Sequence, residues 1–257
     1  MPESAAGNRP VAIVTGVGRT VGIAAAIATT LADEGWDLAL NYWTPADHEI
    51  FGNKADHGLA GLICDLEARG ARVLAMPADL ERVDAAAAVI SATTDRLGTA
   101  TALVLSHAWD VDRGLLDTTV DQFDKHFAIN ARATWLLVRE FARQIPAGGG
   151  AIVALTSDAT VGNLAYGASK GALDRIVIAA AKELAHLNIS SNVINPGPVD
   201  TGWMTEPVRA QLTAMQPTGR LGTPQDIAEI IAFLVSTRGR WVNGQLIKSD
   251  GGFSVHG

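Results

Sequence analysis

Hydrophobic and polar positions along the chain fall into two alternating patterns. Short segments rich in apolar residues occur at Val11–Thr15, Asp37–Tyr42, Ala71–Met76, Thr101–Ser106, Ala151–Thr156, Ser191–Asn195 and Gln245–Ser249. Runs of this length, with little polar alternation, predict strands buried on both faces. Between them lie longer stretches with helical spacing: Gly22 to about Asp33, Asp56–Arg69, Val83–Leu97, Val120–Gln144, Leu164–Leu187 and Pro224–Ser236. Strand and helix in alternation predict parallel βαβ units. The expected fold is therefore α/β, a doubly wound parallel sheet of about seven strands with helices on both faces. Thr44 to His57 lacks such spacing and reads as a solvated surface loop.

Size and charge narrow the picture. A chain of 257 residues, 48% of them hydrophobic, suits one domain with a substantial core. No internal repeat or linker interrupts it. Net charge is −7 without a dense basic run, which argues against nucleic acid or an acidic membrane surface as partner. One cysteine, Cys64, excludes an intramolecular disulfide and suits a reducing compartment. The first ten residues are polar and small, read as a flexible N-terminus rather than a signal peptide, and no apolar run is long enough to span a bilayer. A cytoplasmic location is expected. Asp47, His48, Glu49 and His57 make a metal site conceivable, but their irregular spacing favours a solvated loop, so no metal is expected.

In a doubly wound sheet, ligands bind outside the carboxyl ends of the strands. The residues there are Gly16–Gly22, Tyr42–Trp43, Asp79–Leu80, Ser106–Trp109, Ser157 and Pro196–Thr201. Gly16 to Gly22 (GVGRTVG) is a glycine-rich turn between a strand and a helix, the kind of turn that lets backbone N–H groups approach a pyrophosphate. An acid at the end of the second strand would hold a ribose 2′-hydroxyl, but Asn41-Tyr42-Trp43 has none. Arg19 inside the turn can instead pair with a 2′-phosphate, so NADP(H) is favoured over NAD(H); the alternative is a solvated arginine. Tyr166 and Lys170, four residues apart in a helical run, share a face. A neighbouring cation favours phenolate and lowers the phenol pKa, whereas the bland alternative is a packed Tyr beside an extended Lys. Ser157 offers a hydroxyl just upstream.

These residues, in this order, resemble the short-chain dehydrogenase/reductase family over nearly the whole chain. The matches are Thr15-Gly16 through Gly22, Asp79-Leu80, Asn130, Ser157, Tyr166-x-x-x-Lys170, Pro196-Gly197-x-Val199-x-Thr201, Arg220-x-Gly222-x-Pro224 and Asp250-Gly251-Gly252. The resemblance implies a Rossmann-type fold, a nicotinamide cofactor and the interconversion of a ketone and a secondary alcohol. The nearest analogy is with 3-oxoacyl-carrier-protein reductases. It implies that Tyr166 is the general acid/base, that Lys170 holds the nicotinamide ribose, that Ser157 bonds the substrate oxygen and that Asn130 positions Lys170 through a water. It further implies cofactor contacts from Gly16, Arg19, Thr20, Gly22, Ile23, Tyr42, Asp79, Leu80, Ser106, Ala108, Tyr166, Lys170, Pro196, Gly197, Val199 and Thr201. A homotetramer or homodimer is the family expectation, as is a lid over the substrate at 202–219, where Trp203 and Met204 could form an apolar wall.

The chain departs from the family pattern in four places. Thr20 replaces a small residue of the phosphate turn. Ser106-His107-Ala108-Trp109 replaces an Asn-Asn-Ala-Gly, and if that glycine has positive φ, Trp109 is costly there. His107 and Trp109 are then candidate substrate contacts, with a structural histidine the alternative for His107. The interval from Ser157 to Tyr166 is about four residues short, and the segment after the second strand is about ten residues long. An alternative function on the same fold is an NADP(H)-binding sensor or scaffold with little or no turnover.

Overall fold

The computed structural model describes residues 9–52, 58–159, 161–202 and 204–255. Its centre is a seven-stranded sheet, all of whose pairings are parallel. The strands are β1 (Val11–Thr15), β2 (Asp37–Tyr42), β3 (Val73–Pro77), β4 (Ala100–Leu105), β5 (Gly150–Leu155), β6 (Ile189–Asn195) and β7 (Leu246–Lys248). Their spatial order is β3-β2-β1-β4-β5-β6-β7. The order reverses between β1 and β4, which opens a crevice at their carboxyl ends.

Period-two alternation divides each central strand between two cores. Ala12 and Val14 of β1, with Leu38 and Leu40 of β2 and Ala102 and Val104 of β4, face one layer. That layer is α1 (Ile23–Asp33) and α9 (Pro224–Val235), which present Ala24, Ile27, Ala28 and Leu31 against Ile227, Ala228 and Ile231. Val11, Ile13, Ala39, Leu103 and Leu105 face the other layer. There α4 (Ala85–Arg96), α6 (Ala133–Gln144) and α7 (Leu164–Glu183) contribute Val89, Leu137, Phe141, Leu173 and Val177. Alanines on α1 let it lie close to the sheet and to α9. The expected seven parallel strands, doubly wound, are those observed, with ends shifted by a residue or two.

Three segments differ from expectation. Thr44–Phe51 is a helix, α2, rather than a loop, started by a proline in its first turn. Asn53 to His57 lie outside the described residues, and α3 (Leu59–Ala68) follows. The helix expected as one piece from Val120 to Gln144 is α5 (Val120–His126), a π-helical turn at Phe127–Arg132, and α6. The extra residue of such a turn re-aims the side chains it carries. Finally, α8 (Glu206–Met215) forms inside the expected 202–219 lid. No described helix is long and apolar enough to cross a membrane.

Candidate active site

The site is assembled at the β1/β4 switch point. Gly16, just beyond β1, has φ +77, and a Cβ there would lie 2.8 Å from the His107 Cα and 2.9 Å from its nitrogen. Only glycine lets the two strand ends close up in this way. Thr15, the last residue of β1, is fully buried and ties the ends together. Its Oγ1 accepts the Ser106 N–H at 3.1 Å and lies 2.7 Å from His107 Nδ1.

His107 Nε2 lies 3.1 Å from the carbonyl of Ile129, which can only accept. The ring therefore carries its proton on Nε2 and takes the Thr15 hydroxyl proton on Nδ1. Burial, reinforced by the charge of Lys170, pushes the His107 pKa down to about 3. It is a neutral strut between β1, β4 and the π-turn, and its edge lines the cleft.

Asn130 sits in the π-turn, fully buried. Its Oδ1 accepts the Trp109 N–H at 2.9 Å, while Nδ2 donates to the Trp109 carbonyl at 3.0 Å and to Ser169 Oγ at 2.9 Å. The amide clasps the backbone of the residue in the anomalous position. Trp109 pays no left-handed strain there: among the described residues Asn188 is the one non-glycine with positive φ. The Trp109 ring is buried, edge-on to His126 at 4.4 Å, with Lys125 Nζ 4.5 Å from its centroid.

Tyr166 and Lys170 stand on α7 beside the end of β5. Lys170 is 2% exposed, and its Nζ donates to the Leu155 carbonyl at 2.9 Å. Burial lowers its pKa to about 8, against the opposing pull of Asp174 and Asp110. It thus remains largely protonated at neutral pH. The ammonium is 5.7 Å from the Tyr166 ring centroid. Despite this neighbour, the Tyr166 pKa is raised, first by burial and then by the Asp110 carboxylate; the hydrogen bond from Ser157 is the one opposing influence. The expected lowering by Lys170 is not seen: enclosure of the phenol, which penalises its charge, sets the direction of the shift. Ser157 reaches Tyr166 across the shortened loop, and its Oγ also accepts the Ala159 N–H at 3.2 Å. Thr156 is buried and lines the cleft.

A cleft of about 280 Å³ runs from the glycine turn to Tyr166. Gly16, Arg19, Gly22 and Ile23 line one end, Asp79 and Leu80 its side, and Ser106, His107, Ala108 and Trp109 its floor. Tyr166, Lys170 and Pro196 line the cleft as well, and Thr201 lies against Arg19. Thr20, Tyr42, Asn130, Ser157, Gly197, Val199 and Met204 fall outside this lining, Met204 being buried elsewhere. Trp203 lies outside the described residues. Among the described residues no cluster of His, Cys, Asp or Glu could hold a metal ion.

The cleft suits a dinucleotide in three respects. The first turn of α1 has no side-chain cap and no acid, so its N–H groups stay available to an anion. Arg19 Nε is buried without a hydrogen-bond partner. Its Nη2 donates to the Thr201 carbonyl at 2.8 Å, which spans the cleft from the glycine turn to the loop after β6.

Two groups at the site were not among the candidate site residues, although the segment after β2 was expected to border the adenosine end of the cleft. Ala46, Asp47, Ile50 and Phe51 of α2 also line the cleft. Asp110, just past the floor, accepts Asn163 Nδ2 at 2.8 Å and influences both Tyr166 and Lys170. A proline and an acid at the start of α2 were the available signals for the first; the second had none.

Comparison with known proteins agrees with this geometry. The sequence model of the enoyl-(acyl carrier protein) reductase family matches residues 16–254. The chain is 34% identical over 250 residues to an uncharacterized oxidoreductase, YjdA, of Bacillus subtilis, covering 95% of this chain and 96% of that one. It is 31% identical over 256 residues to an NADPH-dependent aldehyde reductase-like chloroplastic protein of Arabidopsis thaliana, covering 95% and 93%. A blue fluorescent protein from a metagenomic library, solved in complex with NADPH, superposes with a TM-score of 0.85 at 30% identity, covering 96% and 99%. The fold and the site define an α/β oxidoreductase of nucleotide-binding type. The chain belongs to the short-chain dehydrogenase/reductase family.

Proposed function

We propose that this oxidoreductase uses NADP(H) to interconvert a carbonyl compound, a ketone in the first instance, and its alcohol, with Tyr166 exchanging the proton. The observation that carries the reading is a cleft that runs from a glycine turn to Tyr166 and Lys170, with Ser157, outside its lining, hydrogen-bonded to Tyr166. The nicotinamide would supply the hydride. Gly16, Gly22 and Ile23, with the uncapped start of α1, would hold the pyrophosphate, and Arg19 the 2′-phosphate.

In the reductive direction the raised Tyr166 pKa keeps the phenol protonated and able to donate to the substrate oxygen. Ser157 shares that oxygen through its hydroxyl. Lys170 holds a positive charge beside the phenolate left behind, and its anchor on the Leu155 carbonyl fixes that charge in place. Asn130 acts at one remove, by holding the Trp109 backbone at the floor. NADP(H) is favoured because Arg19 is the cation of the phosphate turn and no acid terminates β2.

Tyr166→Phe tests the mechanism. Reduction of simple ketones and aldehydes, followed by loss of NADPH absorbance, should fall at least ~100-fold, the scale of lost general acid catalysis, while NADPH binding persists. Near-normal turnover would remove Tyr166 from the mechanism. The alternative, a nucleotide-binding sensor, draws on the upward shift of Tyr166, which disfavours oxidation at neutral pH. Tight NADPH binding without turnover on any ketone, aldehyde, quinone or 3-oxoacyl thioester would favour it.

A further inference from the structure

The glycine turn is not bare. A Cβ added at Gly18 would collide with the Asp47 carboxylate, so the face that glycine leaves open for a ligand is covered by an acid from α2. Asp47 is half-buried; burial raises its pKa, and the charge of Arg19 is the first influence opposing that rise. The Arg19 guanidinium also lies over the Phe51 ring, one helical turn further along α2, at 4.1 Å. A carboxylate against a phosphate turn and its only cation is the arrangement an incoming phosphate must compete with.

α2 is lightly anchored. None of its side chains is fully buried. Besides the Asp47 and Phe51 contacts at the glycine turn, it is tied by Glu49, whose Oε2 accepts Lys125 Nζ at 2.6 Å. Lys125 also lies over the Trp109 ring, so the same helix is linked to the floor of the cleft. Polar anchors of this kind on a half-exposed helix are individually weak.

We propose that Asp47 is a specificity-determining residue for the nucleotide: it occupies the Gly18–Arg19 face and competes with the nucleotide's phosphates for it. The 2′-phosphate suffers most, because its partner is Arg19, the cation that Asp47 partly neutralises. This chain's own segment after β2 thereby supplies an acid that the end of β2 lacks, delivered from a helix rather than a strand. The inference rests on the reading of Arg19 as the 2′-phosphate partner.

The test is a titration of intrinsic tryptophan fluorescence, with Trp43 and Trp109 both lining the cleft, by NADPH and by NADH. Wild type, Asp47→Asn, Arg19→Ala and the double variant are compared, each checked by circular dichroism. Asp47→Asn should bind NADPH about tenfold tighter, as expected for removing one charge beside a phosphate in a half-buried site, and NADH no more than about twofold tighter. In the Arg19→Ala background the same substitution should leave the NADPH-to-NADH preference unchanged. An Asp47→Asn protein with the wild-type preference, or with weaker NADPH binding, would overturn the proposal. Asp47→Ser repeats the arm should Asn itself bond to Arg19. Wild-type protein that binds neither nucleotide would instead overturn the functional reading, a result distinct from equal binding by the two forms.

Discussion

Lys170→Met should make the protein more stable at neutral pH while abolishing carbonyl reduction. Lys170 is 2% exposed, and burial lowers its pKa from 10.5 to about 8. A pKa depressed on folding means that the unfolded chain binds more protons between those two values. Stability therefore rises with pH across that window, and below about pH 8 the charged ammonium costs the fold its full penalty. The gap of about 2.5 units corresponds to ~3 kcal/mol. Methionine, unbranched and apolar, fills a similar volume without a charge. Against the gain stands one loss that the shift does not already contain: the Leu155 carbonyl loses its donor, which costs ~1–2 kcal/mol. The net expectation is ~1–2 kcal/mol of added stability at pH 6.5, or ~3–6 °C in Tm for a chain of this size.

The pH dependence is the sharper part. Near pH 10 the wild-type lysine is mostly neutral, the gain from its removal fades, and the variant's lost hydrogen bond remains. The stability curves of the two proteins should cross. Urea unfolding followed by circular dichroism at pH 6.5, 8 and 10 measures this directly, and a variant less stable than wild type at pH 6.5 would refute the reasoning. A constant difference at all three values would do the same.

Other expectations follow from the same groups. His107→Asn removes a histidine held neutral, with its pKa lowered from 6.5 to about 3. In the wild type the unfolded chain takes up that proton first, so stability falls as pH drops from 6.5 toward 3, by up to ~1.4 kcal/mol per unit. The variant should start less stable at pH 7.5, having lost the Thr15 and Ile129 contacts, yet show a flatter acid limb in the same urea assay. An unchanged acid slope would count against burial as the cause. Asp110→Asn removes a carboxylate that raises the Tyr166 pKa. The rising limb of kcat/KM for alcohol oxidation, which needs phenolate, should move to lower pH by ~0.5 unit, a small shift because Asp110 is partly solvated. A limb that stays put or moves up would exclude Asp110 as an influence on the phenol.

The fold was legible because most of its elements bury something. β1 is five residues without an exposed side chain, and α1 repeats small and apolar residues at helical spacing against α9. Hydrophobic periodicity registers exactly that kind of element. The two helices it missed, α2 and α8, fully bury no side chain. Their local signals were a proline and an acid in the first turn, and such residues mark a helix start only to a reader already expecting a helix. The π-turn escaped for a different reason. One extra residue in a run from Val120 to Gln144 leaves the apolar stripe almost intact, yet it is this turn that carries Asn130.

The same division runs through the site. Tyr166 and Lys170 are neighbours by helical spacing alone, so their pairing could be read from the sequence, whereas the sign of the Tyr166 shift could not. That sign depends on how tightly the phenol is enclosed and on Asp110, 56 residues away in the chain. Trp109 makes the point from the other side. Judged by the family pattern its bulk was a liability at a glycine position, but its backbone is ordinary and Asn130 grips both its N–H and its carbonyl. A tryptophan there brings its ring against His126 and under Lys125, and Lys125 is bound by Glu49 of α2. The departures in the Ser106–Trp109 segment and the long segment after β2 looked like two unrelated anomalies in the sequence. In the folded chain they meet through one lysine, so the floor of the cleft and the helix that carries Asp47 are parts of a single connected structure.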